Sequence, residues 1–254
     1  MRRSDPRSSV DKAMSLLRAF AEDTSTGVGL SELARRADLP KSTAHRLLAT
    51  LAQNEAVQKA EDTYRLGPLF ADLTKETSSP HGEVVAELLT PFLSALFERT
   101  RMTVHLGYMM GTDVAYANKL FSRRAMETPA RIGGRVPGYA TGVGKAILAW
   151  DPNLTETTLH RGLVQWTPNT ITDPDEFVQV LAQIRREGVA YDREEIAVGL
   201  SCIAAPIFGC GSVPVAAMSV SGPIGSFDPE EHRQVLRTIC ASASRAYRAA
   251  ERKR

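Results

Sequence analysis

Two glycine-punctuated runs hold residue types that perform chemistry in other settings. Gly142-Val143-Gly144-Lys145 has the start of a phosphate-binding loop, in which backbone N–H groups and a lysine cradle a nucleotide. That pattern also needs a glycine five residues before Gly144 and a serine or threonine after the lysine. Those positions hold Tyr139 and Ala146, so nucleotide chemistry fails on both counts. Gly199-Leu200-Ser201-Cys202-Ile203 begins like a nucleophile elbow, but Ile203 stands where the final glycine belongs. Cys202 as a thiol nucleophile needs a base, and nothing in the sequence places His105, His160 or His232 beside it. Cys202, Cys210 and Cys240 are an odd set with no Cys-x-x-Cys pair, and no two of the 5 histidines have metal-ligand spacing. The expectation is a protein without metal or cofactor that is not an enzyme. The alternatives are a small-molecule-processing enzyme or a thiol redox sensor using Cys202, with Cys210 as its second thiol.

A different chemistry is written at Lys41-Ser42-Thr43-Ala44-His45-Arg46. At 100° per residue, Ala44, Leu47, Leu48 and Leu51 gather on one side of a helix, and Ser42, His45, Arg46, Ala49 and Gln53 on the other. The outward side is short, polar and basic. Small side chains let the N-terminal turn of such a helix enter the major groove, where arginine donates twice to a guanine edge or clamps a phosphate. Lys41, Ser42 and Thr43 add donors at the positive helix end, suited to a phosphate oxygen. The competing reading is a solvated face on an ordinary helix.

The flanking elements decide between these readings. Val10, Ala13, Met14, Leu17 and Phe20 recur with helical spacing; Leu30, Leu33, Ala34 and Ala37 do the same, with Ser31 as an available cap. Asp38-Leu39-Pro40 then breaks the pattern before the helix from Lys41. Asp38 sits where such turns often have glycine, and aspartate tolerates positive φ better than most residues. Extended segments at 57–59 and 63–66 form a hairpin after the third helix, with Lys59 on it. Three short helices with a tight turn before the third, then a hairpin, is the layout of a winged helix-turn-helix. Gly67-Pro68 punctuates, 69–77 has helical character, and Ser78-Ser79-Pro80 reads as a hinge.

Beyond that point the chain is mixed. Helices are expected at 83–99, bent at Pro91, at 144–150, 156–162 and 174–187, and from 229 to the end. Strands are expected at 103–108, 114–119, 189–192, 203–208 and 213–221. Asp173-Pro174 and Asp228-Pro229 are a cap followed by proline at the first helical turn. The whole is 254 residues of 27.7 kDa with 43% hydrophobic and 24% charged residues, ordinary for a globular protein, with room for two compact domains or one large one. The longest apolar stretches are far short of the roughly 18 to 20 residues a membrane span needs. Asp11, Lys12 and Arg18 interrupt any signal-like segment, so the protein is expected in the cytoplasm. The formal net charge is only +2, all of it within residues 1–66, which hold 11 Lys+Arg and 9 Asp+Glu.

These runs together resemble the IclR-type bacterial transcription regulators. The likeness is carried by Ser9-Val10-Asp11-Lys12-Ala13, Leu30-Ser31-Glu32-Leu33-Ala34, Leu39 to Leu48 and Tyr64-Arg65-Leu66-Gly67. It continues in Pro137 to Ala149, in Asp192-Arg193-Glu194-Glu195 through Gly199 to Pro206, and in Ser219-Val220-Ser221-Gly222-Pro223. It spans nearly the whole chain. The resemblance implies an α+β two-domain protein: an N-terminal winged helix-turn-helix and a C-terminal GAF-like α/β domain with a mainly antiparallel sheet. The expected divisions are a DNA-binding domain at 1–66, a linker helix and hinge at 67–80, and an effector-binding and oligomerisation domain at 81–254. It further implies a double-stranded DNA operator read by Lys41, Ser42, Thr43, His45, Arg46 and Lys59, a homodimer or tetramer, and a small organic acid effector. Position by position, the family's ligand pocket falls on Met126, Ile132, Gly142, Val143, Asp192, Cys202, Ser219 and Ser221. Thr141 to Gly144 are expected as a loop before a helix, its N–H groups facing the acid. The chain departs from the family at Gly138 and Tyr139, where a larger apolar residue and a histidine are more usual, which bears on pocket size and ligand class.

Overall fold

The computed structural model describes residues 6–20, 27–60, 62–70, 79–122 and 134–253. The chain divides into two compact units, Met1–Glu76 and Thr77–Arg254.

In the first unit, α1 (Ser9–Arg18) opens on a capping box: the Ser8 hydroxyl accepts from the Asp11 N–H, and the Asp11 carboxylate accepts from the Ser8 N–H at 2.9 Å. Those Ser8 hydrogen bonds hold the Asp11 carboxyl below its ordinary range. α2 (Leu30–Arg36) and α3 (Lys41–Gln53) follow. Their apolar stripes close on α1 through Leu16, Phe20, Leu33, Ala44 and Leu48, all buried. The expected Ser31 cap is corrected. α2 begins two residues before a Ser31 cap would place its start, its N-cap is Gly29, and no side chain caps it, because the chain enters directly from a strand. That strand, β1 (Val28–Gly29), pairs with β3 (Thr63–Leu66), which in turn pairs with β2 (Val57–Ala60), giving an antiparallel sheet in the order β1-β3-β2. Two residues are too few to show alternation, so periodicity misses β1. The turn between α2 and α3 has Asp38 at φ 51°, in the left-handed region. Arg7 fixes the turn by donating to the carbonyls of Ala37 and Asp38 at 3.1 and 2.6 Å.

The second unit is built on a six-stranded sheet in the order β6-β5-β4-β9-β8-β7, every pairing antiparallel. The strands are β4 (Thr103–Met110), β5 (Asp113–Leu120), β6 (Arg135–Pro137), β7 (Ala190–Arg193), β8 (Leu200–Phe208) and β9 (Pro214–Pro223). Because strand side chains alternate between faces, one face packs through Leu106, Ile203 and Val220 against α4 (Pro80–Thr100) and α8 (Pro229–Glu251). The other packs through Val114, Ala204 and Ala217 against α5 (Gly142–Leu148) and α7 (Pro174–Glu187), with α6 (Pro152–Arg161) beside them. Four of these helices share one entry device, an N-cap side chain followed by proline: Ser79-Pro80, Asp151-Pro152, Asp173-Pro174 and Asp228-Pro229. Only the last two are picked out from sequence. Among the described residues no helix is long and apolar enough to cross a membrane, and no cluster of His, Cys, Asp and Glu has the makings of a metal site.

Candidate nucleic-acid interface and ligand cavity

α3 buries Ala44 and Leu48 completely and turns the opposite side outward. Lys41, Ser42, His45 and Arg46 are exposed, and Thr43 is half-buried. Lys59 is exposed on β2, where it pairs with Tyr64 of β3. Among the described residues, none of these six side chains is engaged in a hydrogen bond or ion pair. This contrasts with α2, where Glu32 takes both Arg35 and Arg36 at 2.6 and 2.8 Å. The N-cap of α3 is Pro40, which has no capping side chain, so the first N–H groups of the helix are not satisfied by a cap. The result is a short outward stripe of donors at a positive helix end, with a further cation on the neighbouring hairpin.

In the second unit, Gly142, Val143, Asp192, Cys202, Ser219 and Ser221 all line one enclosed cavity, together with His105 and Tyr116. Met126 and Ile132 lie outside the described residues. β7, β8 and β9 bring three of them together directly: Cys202 of β8 pairs with Ser221 of β9 and with Asp192 of β7. Ser219 and Ser221 share the face of β9 that points into the cavity, and both are 2% exposed. Gly142 and Val143 are not a loop before a helix, as their glycine content suggests, but the first turn of α5. Thr141 is its N-cap, accepting from the Gly144 N–H at 3.0 Å. Two glycines are needed here for space. A Cβ on Gly144 would come within 2.1 Å of the Gly138 carbonyl oxygen, and one on Gly142 within 2.7 Å of the Cys202 sulfur. The helix start is thus pressed against the floor of the cavity.

The polar groups around this space are unevenly satisfied. The Ser219 hydroxyl is 3.3 Å from His105 Nδ1, and the Ser221 hydroxyl donates to the Thr103 carbonyl at 3.4 Å. His105 is 4% exposed, and its Nε2 has no partner. Burial, with the Lys119 ammonium adding to it, pushes the imidazole down to about 3, so it is neutral near pH 7. Burial raises the Tyr116 phenol and the Cys202 thiol, which keeps Cys202 a protonated thiol rather than a nucleophile. Asp192, 1% exposed, is raised to about 7, mainly by burial and also by Glu195 nearby, against the opposing pull of Lys145. One Asp192 oxygen accepts from the Glu195 N–H at 2.8 Å. Lys145 of α5 and Glu195, just beyond β7, are both almost fully buried and form an ion pair, and Glu195 Oε2 has no partner.

Sequence reasoning assigns no role to His105, Tyr116, Lys145 or Glu195. Lys145 stands only as the lysine of a failed phosphate loop, and no local spacing joins it to a carboxylate 50 positions on. Gly138 and Tyr139, the two departures from the family pattern, do not line the cavity. Tyr139 instead latches a loop: its hydroxyl donates to the Val164 carbonyl at 2.8 Å and accepts from the N–H of Val164 and from Trp166 Nε1, each at 2.9 Å.

Both units have counterparts among known proteins. Residues 9–61 match the model of the IclR helix-turn-helix domain, and residues 80–247 that of the bacterial transcriptional regulator IclR C-terminal domain. The HTH-type transcriptional regulator BhcR of Paracoccus denitrificans is 34% identical over 84% of this chain and 77% of its own length. The transcriptional repressor IclR of Escherichia coli is 33% identical over 85% of this chain and 80% of its own. A solved structure of an IclR homolog from Microbacterium hydrocarbonoxydans, complexed with 4-hydroxybenzoate, superposes with a TM-score of 0.65 at 27% identity, covering 95% of this chain and all of that one. The relatives are transcription regulators, not enzymes.

Proposed function

The chain belongs to the IclR family of bacterial transcriptional regulators, and from that premise we propose that it is a cytoplasmic regulator whose operator binding is modulated by a small organic acid held in the cavity of its second unit. In this reading residues 1–66 form the DNA-binding domain, 67–80 a linker helix and hinge, and 81–254 the effector-binding and oligomerisation domain. The protein acts as a homodimer or tetramer, because a roughly palindromic operator presents two half-sites to two copies of α3.

The observation that carries the reading is the unengaged polar face of α3. Lys41, Ser42 and Thr43 meet phosphate at the helix start, Arg46 and His45 face base edges, and Lys59 on the hairpin meets the neighbouring backbone. Arg46→Ala is expected to cost about 1–3 kcal/mol of binding and to relax sequence preference at one position of each half-site. Lys59→Ala is expected to weaken binding evenly across sequences and to flatten its salt dependence. Gel shifts with a selected operator and with scrambled DNA measure both; unaltered affinity and preference in Arg46→Ala removes that residue from base reading.

The effector half rests on the cavity. Its free volume is about 20 Å³, room for roughly one water molecule, so an organic acid enters only as the walls separate. A ligand that binds the widened form better than the closed one shifts the protein toward it, which is what a regulatory signal requires. The groups to be met are the Ser219 and Ser221 hydroxyls, the first N–H groups of α5, the orphaned His105 Nε2 and the Asp192 carboxyl. All but the last are donors or neutral near pH 7, and burial favours the protonated, donating form of Asp192 as well. The 4-hydroxybenzoate complex of the Microbacterium homolog places an aromatic acid among the first compounds to test.

A further inference from the structure

A second concavity lies at the edge of β8, away from the cavity just described. β7 covers β8 only from Ser201 to Ala204, so residues 205–208 have no strand on that side. A groove of about 780 Å³ runs over this bare edge, between α8 from Gln234 to Arg248 and Trp150. It is not built to take an added strand. The Phe208 N–H already donates to Ser244 Oγ at 3.0 Å, the Ala205 carbonyl accepts from the Cys240 thiol at 3.6 Å, and Pro206 has no N–H to offer.

What the groove does present is positive charge over an aromatic floor. Arg237, Arg245 and Arg248 line it, and no carboxylate does. Helical geometry sets Arg237 about 12 Å along the axis from Arg245 and Arg248 about 4.5 Å beyond that, on one side of α8. Among the described residues Arg237 is in no hydrogen bond or ion pair. Arg245 donates only to Ser242 on its own helix, at 2.8 Å, and Arg248 uses Nε on the Gly209 carbonyl at 2.8 Å. The floor holds Trp150 and Phe208, edge to face with ring centroids 5.2 Å apart, and the Trp150 indole N–H is buried with no acceptor. Three guanidiniums over a flat apolar wall, with no carboxylate in the lining, complement an anion with an apolar body. The volume lies within the range of small-molecule pockets.

We infer that this groove is a second small-molecule site, taking an organic carboxylate whose apolar body rests on Trp150 and Phe208 and whose charge is met by Arg237 and Arg245. It does not depend on the effector reading of the inner cavity.

The chain has 2 tryptophans, so Trp166→Phe leaves Trp150 as the sole indole and a direct reporter. Benzoate, cyclohexanecarboxylate and octanoate are titrated against this variant while Trp150 emission is followed. At least one of them is expected to change the emission saturably, roughly tenfold more weakly when Arg237→Gln and Arg245→Gln are added, and with most of the affinity kept in Arg237→Lys with Arg245→Lys. Circular dichroism checks that each variant is folded. The proposal is overturned if none of the three probes changes the emission, or if binding is indifferent to both glutamine substitutions. It is equally overturned if the response disappears in Ser219→Ala with Ser221→Ala, which traces the signal to the inner cavity. It also fails if emission follows protein concentration rather than probe and the glutamine variant has a smaller assembly mass, since the groove is then a contact between copies.

Discussion

Lys145→Met is expected to destabilise the second unit by about 3–5 kcal/mol, the cost of leaving a buried carboxylate without its cation. Lys145 is 1% exposed and pairs with Glu195, which is itself 6% exposed and already has one oxygen without a partner. Asp192 lies beside them, so the loss of Lys145 leaves two carboxyls and no positive charge in the same low-dielectric pocket. The apolar stem of methionine fills much of the volume of lysine, so packing loss is minor. Denaturant melts followed by near-ultraviolet dichroism measure the effect. Lys145→Met with Glu195→Gln is expected to recover a large part of it, because the charge left behind is removed as well. A single variant as stable as the parent would show that the pair is not held in the dry interior. The same pair ties α5 to the chain just after β7, so this variant is also expected to lose its response to an effector.

Asp192→Asn is expected to remove a pH dependence of stability worth up to about 4 kcal/mol, about 1.4 kcal/mol for each unit of pKa difference. The folded carboxyl titrates at about 7, against about 3.9 in an unfolded chain. Below about pH 4 both states hold the proton and Asp192 contributes no slope. Between about pH 4 and pH 7 the unfolded chain has released its proton while the folded one retains it, so stability falls as pH rises; above 7 both are ionised and the loss is complete. Asparagine keeps an oxygen to accept from the Glu195 N–H and does not titrate. The variant is therefore expected to match the parent near pH 4 and to exceed it above pH 7. Melts across that range test this, and parallel curves for the two proteins would refute it. The same titration makes an anionic effector bind better at pH 6 than at pH 8, where it meets an ionised Asp192.

Most helices and five of the six strands of the larger sheet are legible because their signals are local, whereas β6 (Arg135–Pro137), three residues long, is too short to show one. Leu47, Leu48 and Leu51 repeat with helical period, Asp173-Pro174 and Asp228-Pro229 announce helix starts, and Ser219-Val220-Ser221 alternates as a strand does. The outward face of α3 follows from the same period, since whichever side is not apolar must face water. β1 has only two residues and exists through its pairing with β3, which no local pattern encodes. The start of α5 is misread because glycine at 142 and 144 suggests a loop, whereas it marks close approach to Cys202 and to the backbone at Gly138. The Lys145–Glu195 pair and the Ser219–His105 contact join residues 50 and 114 positions apart. Such contacts come from the sheet order, and the order is a property of the whole fold.

An acid in the cavity is expected to change the hold of α3 on DNA. The most direct test uses a fluorescent operator selected by this protein from a random-sequence pool, with anisotropy titrations run with and without a saturating carboxylic acid found by thermal shift. In the parent the acid is expected to shift operator affinity. In Ser219→Ala with Ser221→Ala the shift is lost while affinity without acid is unchanged. An acid effect that persists in full in the double variant would contradict it.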